Sequence, residues 1–236
     1  MILLVVVVPT YNEAKNITKL IESIFKNISS SDKIIIVDDN SPDGTGKIAD
    51  KIVQKKKNLI VIHRKRKEGR GSAVWAGFRL AKKFNPTFYI EMDADFSHKP
   101  RDIPRLLSAI KQGSDVVVGS RYLGKSKIYN WSISRRVFSK FANFYANLIL
   151  DVGISDYTNG FRIYTKEAVN FLLSQKLISP GYILLSETAF KLKKAGFKLS
   201  EIPIIFVNRK RGVSNLNFNE IKNAFLKTLK IRFLHS

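Results

Sequence analysis

Short apolar runs that alternate with helical patterns are the feature that most constrains the fold of this 236-residue chain. The runs, rich in Val and Ile, fall at residues 2–8, 33–38, 59–63, 88–93 and 116–118. Between them, apolar residues recur every three or four positions, which is typical of amphipathic helices. Strands that are apolar on both faces and separated by helices are typical of a parallel sheet covered on both sides. The sequence therefore predicts an α/β fold with a mainly parallel open sheet and helices on both faces.

The pattern becomes less regular after residue 120. A helix is predicted where apolar residues from Val137 to Ile149 share one side, and strands are predicted at 162–164 and 199–207 with helical segments between them. The last segment, 218–234, has apolar residues at helical spacing, interrupted by basic ones. This pattern is compatible with packing on the rest of the protein and with lying on a membrane.

Positive charge is the unusual property of the composition. The chain has 41 Lys and Arg against 19 Asp and Glu, so its formal net charge is +22. Such a surplus predicts a negative partner, which could be nucleic acid, an anionic membrane surface or a phosphorylated substrate. At 44% hydrophobic and 11% aromatic residues, the chain is not of the disordered class.

Cysteine is absent, which excludes a disulfide scaffold, a zinc-thiolate site and a cysteine nucleophile. No apolar run approaches the roughly 20 residues that span a bilayer. The run at 2–8 lacks a basic start and a small-residue cleavage site, so we interpret it as a buried strand rather than a signal peptide.

Acidic residues concentrate at the predicted strand ends, where ligands bind in open α/β sheets. Six of the 19 acids lie there: Asp38, Asp39, Asp43, Glu91, Asp93 and Asp95. Because like charges repel when desolvated, something positive should hold them together. The simplest candidate is Mg²⁺ or Mn²⁺ that carries a phosphorylated ligand. Two alternatives remain open, namely a plain turn after residue 38 and a solvated loop after residue 93.

Several polar motifs follow one another along the chain. They occupy residues 9–13, 38–45, 93–98, 119–122, 131–139, 156–162 and 209–214. Together, and in this order, they resemble glycosyltransferase family 2, which has the Rossmann-like GT-A fold. More narrowly, they are similar to the dolichyl-phosphate mannosyltransferases. The resemblance implies a single catalytic domain over 1–236, with a nucleotide-binding half at 1–120, an acceptor-binding half at 121–217 and a C-terminal amphipathic helix at 218–236.

The resemblance also implies roles for individual residues. The donor nucleotide-sugar would contact Pro9, Tyr11, Glu13, Val37, Asp38, Asp39, Asp93, Ala94, Asp95 and Arg209. The metal would be held by Asp93, Asp95 and Ser97, and the acceptor phosphate by Arg121, Arg135, Ser139 and Arg209. Asp95 and Arg209 would act in catalysis, Arg209 from a loop that closes as a lid.

The implied reaction is the metal-dependent transfer of mannose from GDP-mannose to a dolichyl or polyprenyl phosphate, with inversion, and Mg²⁺ or Mn²⁺ as cofactor. The implied location is cytoplasmic, peripheral on the cytoplasmic face of the membrane, at an anionic surface and with room for a membrane-anchoring partner. A polyprenyl-phosphate glucosyltransferase that uses UDP-glucose or another nucleotide sugar is the alternative enzyme. A basic nucleic-acid-binding protein is the alternative of another class. No helix-turn-helix, RRM or zinc pattern accompanies the charge, and the acids concentrate where they would repel a phosphate backbone, so we expect no nucleic-acid partner.

Three further predictions concern residues near these motifs. The run at 64–67 is predicted to be solvated or membrane-facing, and His98 to have no catalytic role. Asn215 stands where the family commonly has Lys, so one phosphate contact is either missing or supplied by Lys210 or Arg211.

Overall fold

The computed structural model describes residues 2–177, 183–208 and 218–234. The strands are β1 (Leu4–Thr10), β2 (Lys33–Asp38), β3 (Leu59–His63), β4 (Phe88–Glu91), β5 (Val116–Ser120), β6 (Lys127–Tyr129), β7 (Arg162–Thr165), β8 (Leu199–Pro203) and β9 (Ile205–Val207). The helices are α1 (Ile17–Phe25), α2 (Thr45–Val53), α3 (Arg70–Ala81), α4 (Ile103–Ile110), α5 (Ile133–Leu150), α6 (Lys166–Ser174), α7 (Ile183–Lys194) and α8 (Phe218–Leu234). Short 3-10 turns at Lys82–Phe84 and Pro100–Asp102 follow α3 and precede α4.

Seven strands form one open sheet in the order β3-β2-β1-β4-β7-β5-β8. All neighbouring pairs are parallel except those that β7 makes with β4 and β5, which are antiparallel. The two remaining strands, β6 and β9, form a separate parallel pair. The predicted mainly parallel open sheet is therefore confirmed.

Both faces of the sheet are buried, as apolar runs on both faces predict. Along β1, Val5 and Val7 belong to one core cluster, while Leu4, Val6 and Val8 belong to the other. The first cluster includes apolar residues of α3, α6 and α7, and the second includes those of α1 and α4. The helices thus cover the sheet from both sides, and the loops that follow the strands are left at its edge.

The strand boundaries differ from the predicted ones where pairing extends a strand beyond its apolar run. Strand β1 continues through Pro9 and Thr10, which lie opposite Val37 and Asp38 of β2 in the parallel register. The predicted strand at 199–207 is two strands, because β8 pairs with β5 whereas β9 leaves the sheet and pairs with β6.

Helix α8 packs against α5 and α7. The Phe225 ring lies 4.4 Å from that of Tyr145 on α5, centroid to centroid, and Thr228 and Ile231 are buried. None of the helices within the described ranges is both long and apolar enough to cross a bilayer.

Candidate functional site

The candidate site lies where β1, β2 and β4 end. Because β1 sits between β2 and β4 and all three are parallel, their carboxyl ends meet at one edge of the sheet. The polar motifs that follow these strands are therefore neighbours in space, as their sequence positions predicted.

The loops after β1 and β2 are joined by side chain to backbone hydrogen bonds. The Glu13 N–H donates to Thr45 Oγ1 over 2.8 Å, and the Ala14 N–H donates to Asp43 Oδ2 over 3.0 Å. Burial alone would raise the pKa of Asp43, but hydrogen bonds from Thr45 and Ala14 lower it below the ordinary value. Gly44 takes the left-handed conformation that starts α2, with φ of 84°. Asp43 thus stays ionised as a fixed acceptor between the two loops.

Asp38 and Asp39 already have partners within the protein. Asp38 Oδ1 accepts hydrogen bonds from the hydroxyls of Thr10, over 3.1 Å, and Ser41, over 2.6 Å. Asp39 accepts from the backbone N–H groups of Glu68 and Gly69, the latter over 2.7 Å. The second aspartate thereby fixes the loop between β3 and α3.

Arg64 supplies the positive charge beside Asp39. Its Nη1 lies 2.9 Å from Asp39 Oδ1, its Nη2 contacts Glu68, and only 10% of its side chain is exposed. The prediction that the basic run at 64–67 is solvated or membrane-facing is therefore wrong for Arg64. The reason is that β3 pairs with β2, so the residue after β3 lies beside the residue after β2. The sequence of four basic residues does not by itself show that Arg64 lies beside Asp39.

The predicted donor-contact residues differ in their solvent exposure. Tyr11 is 37% exposed, and the Lys67 ammonium lies 3.9 Å from its ring centroid. Pro9 and Glu13 are partly exposed. Val37 is fully buried, and its side chain belongs to the core cluster of β1, β2 and α3. Neither its side chain nor its backbone reaches the surface, and its place in the donor pocket stays a prediction.

Arg70, at the start of α3, connects the acidic residues at the end of β4. Its Nε donates to Asp93 Oδ1 over 2.6 Å, its Nη1 to Glu91 Oε2 over 2.8 Å and its Nη2 to the Gly160 carbonyl over 2.9 Å. The Tyr164 hydroxyl donates to the other Glu91 oxygen over 2.6 Å. Burial raises the pKa of Tyr164 and the nearby Glu91 raises it further, so the hydroxyl remains a donor.

Arginines supply part of the positive charge that the acids at the strand ends require, beside the divalent metal that the sequence predicts. Arg70 neutralises Glu91 and Asp93, and Arg64 neutralises Asp39. Burial would raise the pKa of Asp93, but the adjacent Arg70 guanidinium lowers it below the ordinary value. Asp93 is thus ionised and oriented before any ligand binds.

Arg70 is a residue that the sequence interpretation missed. In the sequence it is flanked by two glycines, Gly69 and Gly71. Gly69 has φ of 93°, which few other residues adopt, and a Cβ built at Gly160 would collide with the Arg70 guanidinium. The sequence signal for this contact was an Arg with a glycine on either side, together with Gly160 in a distant motif.

His98 acts as a structural link, in agreement with the interpretation of the sequence. The Asp93 N–H donates to His98 Nδ1 over 3.0 Å, so the opposite ring nitrogen carries the proton and donates to Asn159 Oδ1 over 2.7 Å. The ring is fully buried and stacks on Phe161 at 5.1 Å. His98 thereby ties the loop after β4 to the loop before β7.

The three predicted metal ligands lie in one tight turn. The Ser97 N–H donates to Asp95 Oδ1 over 3.0 Å, and Phe96 between them has φ of 61°. Asp93 and Asp95 are partly exposed, whereas Ala94 and Ser97 are buried. Across the described ranges, no group of three or more Asp, Glu or His side chains could enclose a metal ion. Two carboxylates and a hydroxyl therefore fit Mg²⁺ or Mn²⁺ only where a phosphorylated ligand completes the oxygen shell.

Arg121 forms a buried ion pair with Asp156. Its Nε and Nη2 lie 2.8 and 2.7 Å from the two carboxylate oxygens, and Nη2 also donates to Thr158 over 2.6 Å. Burial would raise the pKa of Asp156, but Arg121 lowers it below the ordinary value. The structure thus uses Arg121 to fix the loop that also carries Asn159 and Gly160.

A cavity of about 420 Å³ lies at the start of α5. Its lining residues are Asn130, Trp131, Ser132, Ser134, Arg135, Phe138 and Asn208. The Arg135 guanidinium lies 4.5 Å from the Trp131 ring centroid. Of the three predicted acceptor-phosphate residues within the described ranges, Arg135 alone lines this cavity, while Ser139, one turn further along α5, accepts a hydrogen bond from the Tyr122 hydroxyl over 2.6 Å.

The last motif lies outside the described residues. This applies to Arg209, to the two basic residues after it and to Asn215. Asn208, directly before Arg209, lines the cavity and donates from its side-chain amide to the Asn130 carbonyl over 3.2 Å.

Comparison with known sequences identifies relatives along almost the whole chain. The chain matches glycosyl transferase family 2 over residues 5–173. It is 37% identical over 223 residues to the polyprenol monophosphomannose synthase of Mycolicibacterium smegmatis, covering 94% of this chain and 84% of that protein. It is 34% identical over 224 residues to the undecaprenyl-phosphate mannosyltransferase of Micrococcus luteus, covering 95% and 91%.

Solved structures match the fold. Mannosyl-3-phosphoglycerate synthase from Rubrobacter xylanophilus superposes with a TM-score of 0.71 at 17% identity, covering 99% of this chain and 74% of that chain. A mannosyltransferase from Pyrobaculum calidifontis, solved with GDP-Man and Mn²⁺, superposes with a TM-score of 0.63 at 18% identity, covering 98% and 63%. The fold is therefore the GT-A fold that the resemblance implied. With the sequence matches, this establishes that the chain belongs to glycosyl transferase family 2.

Proposed function

We propose that this protein transfers mannose from GDP-mannose to a polyprenyl phosphate such as dolichyl phosphate, with inversion at the anomeric carbon. The observation that carries the proposal is the identity of 37% and 34%, over at least 94% of the chain, to two proteins named for making mannosyl phospholipids of this kind. The order of the polar motifs supports it, because those at 9–13, 38–45 and 93–98 collect at the carboxyl ends of three adjacent strands.

The donor nucleotide would bind over the ends of β1 and β2. Tyr11 offers a partly exposed aromatic face, and Pro9 and Glu13 border it. Asp38 and Asp39 would act chiefly by holding the surrounding loops, since both already accept hydrogen bonds from within the protein. In this account, the pocket is rigid before the donor arrives.

Asp95 would be the main protein ligand of the metal, with Asp93 and Ser97 beside it. A divalent ion bound there supplies positive charge to the diphosphate of the donor. The protein contributes the orientation of both carboxylates, since Arg70 holds Asp93 and the Ser97 N–H holds Asp95.

The acceptor phosphate would bind at the cavity beside α5, which Arg135 lines. A phosphate monoester has a second pKa of about 6, so it is mostly dianionic near neutral pH. It therefore attacks without a strong general base, and the task of the protein is to bring two anions together. We assign Arg209 to this task with Arg135, while Arg121 and Ser139 would shape the site around them.

Direct displacement by the phosphate oxygen forms its bond to the anomeric carbon as the bond to the diphosphate breaks. The configuration inverts, so α-linked GDP-mannose gives a β-linked mannosyl phosphate. The reaction would take place peripherally at the cytoplasmic membrane face, whose anionic lipids attract the surplus of basic residues. A partner subunit that anchors the protein there is compatible with this arrangement.

Asp95→Asn tests the metal-ligand assignment. We expect at least a hundredfold loss of mannosyl transfer to a polyprenyl phosphate, because the amide keeps the shape but removes the charge. Asp50→Asn is the matched control, since Asp50 is exposed on α2 and should retain normal turnover. Near-normal turnover of Asp95→Asn would overturn the assignment. A fall in turnover of both variants would point to a general effect of lost negative charge.

A further inference from the structure

The ring of Trp131 lies against two of the arginines that were predicted to bind the acceptor phosphate. The Arg135 guanidinium is 4.5 Å from the ring centroid and the Arg121 guanidinium is 5.3 Å from it. Both distances are within the roughly 6 Å over which an aromatic face attracts a cation. Trp131 lines the cavity at the start of α5 and is only 9% exposed. The indole therefore connects both arginines in the cavity wall.

The two arginines are oriented by different kinds of group. Arg121 is held by the Asp156 carboxylate, which compensates its charge inside the protein. Arg135 donates from Nη1 to Asn208 Oδ1 over 3.4 Å, and its guanidinium lies over the Trp131 ring. A neutral ring attracts a guanidinium through its quadrupole and, unlike a carboxylate, adds no negative charge. The contact with Trp131 thus orients Arg135 without cancelling its attraction for an anion.

The separate strand pair β6–β9 fixes the place of this ring. Trp131 follows β6 by two residues, and Phe206 of β9 packs against it edge to face, with ring centroids 5.5 Å apart. Phe206 lies opposite Ile128 in the parallel register of the two strands. Beyond the pair, the Asn208 N–H donates to the Tyr129 carbonyl over 3.1 Å. Two strands of three residues each, outside the main sheet, therefore hold Trp131 at the cavity.

The start of α5 fixes Arg135 beside the ring. Ser132, directly after Trp131, caps the helix, and its Oγ accepts a hydrogen bond from the Arg135 N–H over 3.3 Å. Trp131 Nε1 is buried and, among the described residues, donates to no acceptor. The N–H of the indole therefore does not anchor the ring, and the contact with Arg135 is made through the aromatic face.

We propose that Trp131 is a positioning residue whose aromatic face holds the Arg135 guanidinium in the orientation that receives the phosphate of the acceptor. The proposal deepens the proposed function and rests on it for the identity of the anion. It has two consequences. Removing the aromatic face weakens phosphate binding only where Arg135 is present, and removing the indole N–H alone changes little.

Titration calorimetry of the full chain with geranyl phosphate, a water-soluble isoprenyl phosphate, measures the first consequence. We expect Trp131→Leu to raise Kd at least about tenfold and Trp131→Phe, which keeps an aromatic face, less than about threefold. Trp75→Leu is the matched control, since it removes the other tryptophan of the chain, on α3, and should bind normally. Normal binding by Trp131→Leu, or equal losses in Trp131→Leu and Trp131→Phe, would overturn the proposal.

A double-mutant cycle tests whether Trp131 acts through Arg135. In the Arg135→Met background, adding Trp131→Leu should change Kd less than about twofold, because the group that the ring orients is already absent. The same loss in both backgrounds would show that Trp131 acts by packing around Arg121 instead, and would contradict the proposal.

NMR of the ¹⁵N-labelled chain tests the contact without any ligand. The Arg135 Hε signal, identified by its loss in Arg135→Met, should be shielded by the indole ring and should return to its ordinary position in Trp131→Leu. A signal at the ordinary position in the unaltered chain would show that the guanidinium does not rest on the ring in solution, and the proposal would fail.

The two proposals can fail separately. In mannosyl transfer, Trp131→Leu should raise the KM for the isoprenyl phosphate and leave the KM for GDP-mannose unchanged, which also shows that the variant is folded. Transfer by Trp131→Leu with a normal acceptor KM would refute the positioning role and leave the reaction in place. Binding of geranyl phosphate that depends on Trp131, without any transfer by the unaltered chain, would refute the reaction and leave the positioning role in place.

Discussion

At the scale of single residues, Arg70 is the group that neutralises and orients the acidic residues at the end of β4. It is the ion-pair partner of Glu91 and Asp93, and it also holds the Gly160 carbonyl. The side chains of Arg70 and Glu91 are only 17% and 4% exposed, so water screens the pair weakly. Removing the arginine would leave the buried Glu91 and the partly exposed Asp93 without this counter-charge.

We therefore expect Arg70→Met to lower the free energy of unfolding by about 3 kcal/mol, the range for breaking a buried ion pair. Urea denaturation measures it. Arg105→Met is the matched control, because Arg105 is 49% exposed where it pairs with Asp102 and should cost less than about 1 kcal/mol. Equal, small losses in both variants would contradict the role given to Arg70.

The Arg121–Asp156 pair should make the free energy of unfolding depend on pH in the acidic range. Arg121 lowers the pKa of Asp156 in the folded protein, whereas an unfolded aspartate titrates at about 3.9. A depressed pKa adds stability above the unfolded value, and that stability is lost as the pH falls through the folded value. Asp156→Asn should thus be less stable than the unaltered chain at pH 7, with the difference shrinking below about pH 4. Urea midpoints from pH 7 to pH 3 measure this, and a difference independent of pH would contradict it.

Sequence reasoning located these carboxylates but not their partners. Asp38, Asp39 and Asp93 were found because acids are scarce in this chain and cluster at strand ends. Arg64 and Arg70 were missed because their relation to these acids depends on strand order, which a linear sequence does not contain. The sequence interpretation therefore assigned to a metal ion positive charge that arginines supply in part.

At the scale of elements, close packing between α3 and the loop before β7 links two distant motifs. Gly160 has no room for a side chain because the Arg70 guanidinium lies against it. The loop is held further by His98 through Asn159. The motif at 156–162 thus contributes to the site mainly through backbone placement.

Gly160→Ala should displace Arg70 and lower the free energy of unfolding by about 1–3 kcal/mol, the usual cost of overpacking. Differential scanning calorimetry or urea denaturation would detect it. The control is Gly124→Ala, since a methyl group there meets nothing within 4 Å. If the Gly160→Ala variant proved as stable as the Gly124→Ala control, the loop would have to adjust freely around Arg70.

The elements differ in how well the sequence predicts them. Strands β1 to β5 were found because buried parallel strands are continuous apolar runs. The short pair β6 and β9 was missed as a pair, since three-residue strands leave no period to detect. The α5 helix was found, but five of its large apolar side chains are exposed, and periodicity alone cannot distinguish a buried apolar face from an exposed one.

At the scale of the whole molecule, the net charge of +22 has a specific distribution. Of the 41 basic residues, 13 lie in 47–83, six in 121–140 and 11 in 191–236. Part of this charge neutralises the acidic strand ends from within, as Arg64 and Arg70 do. Another part lies in 121–140, where Arg135 lines the cavity at the start of α5. Under the proposed function, this surplus would attract a phosphorylated lipid substrate.

The central claim is the transfer of mannose to a lipid phosphate with inversion. Its most direct test is NMR analysis of the product formed from ¹³C-labelled GDP-mannose and a polyprenyl phosphate, with UDP-glucose as the competing donor. The account predicts a β-linked mannosyl phosphate from GDP-mannose and little product from UDP-glucose. An α-linked product, a sugar attached to a hydroxyl group, or transfer from UDP-glucose alone would contradict it.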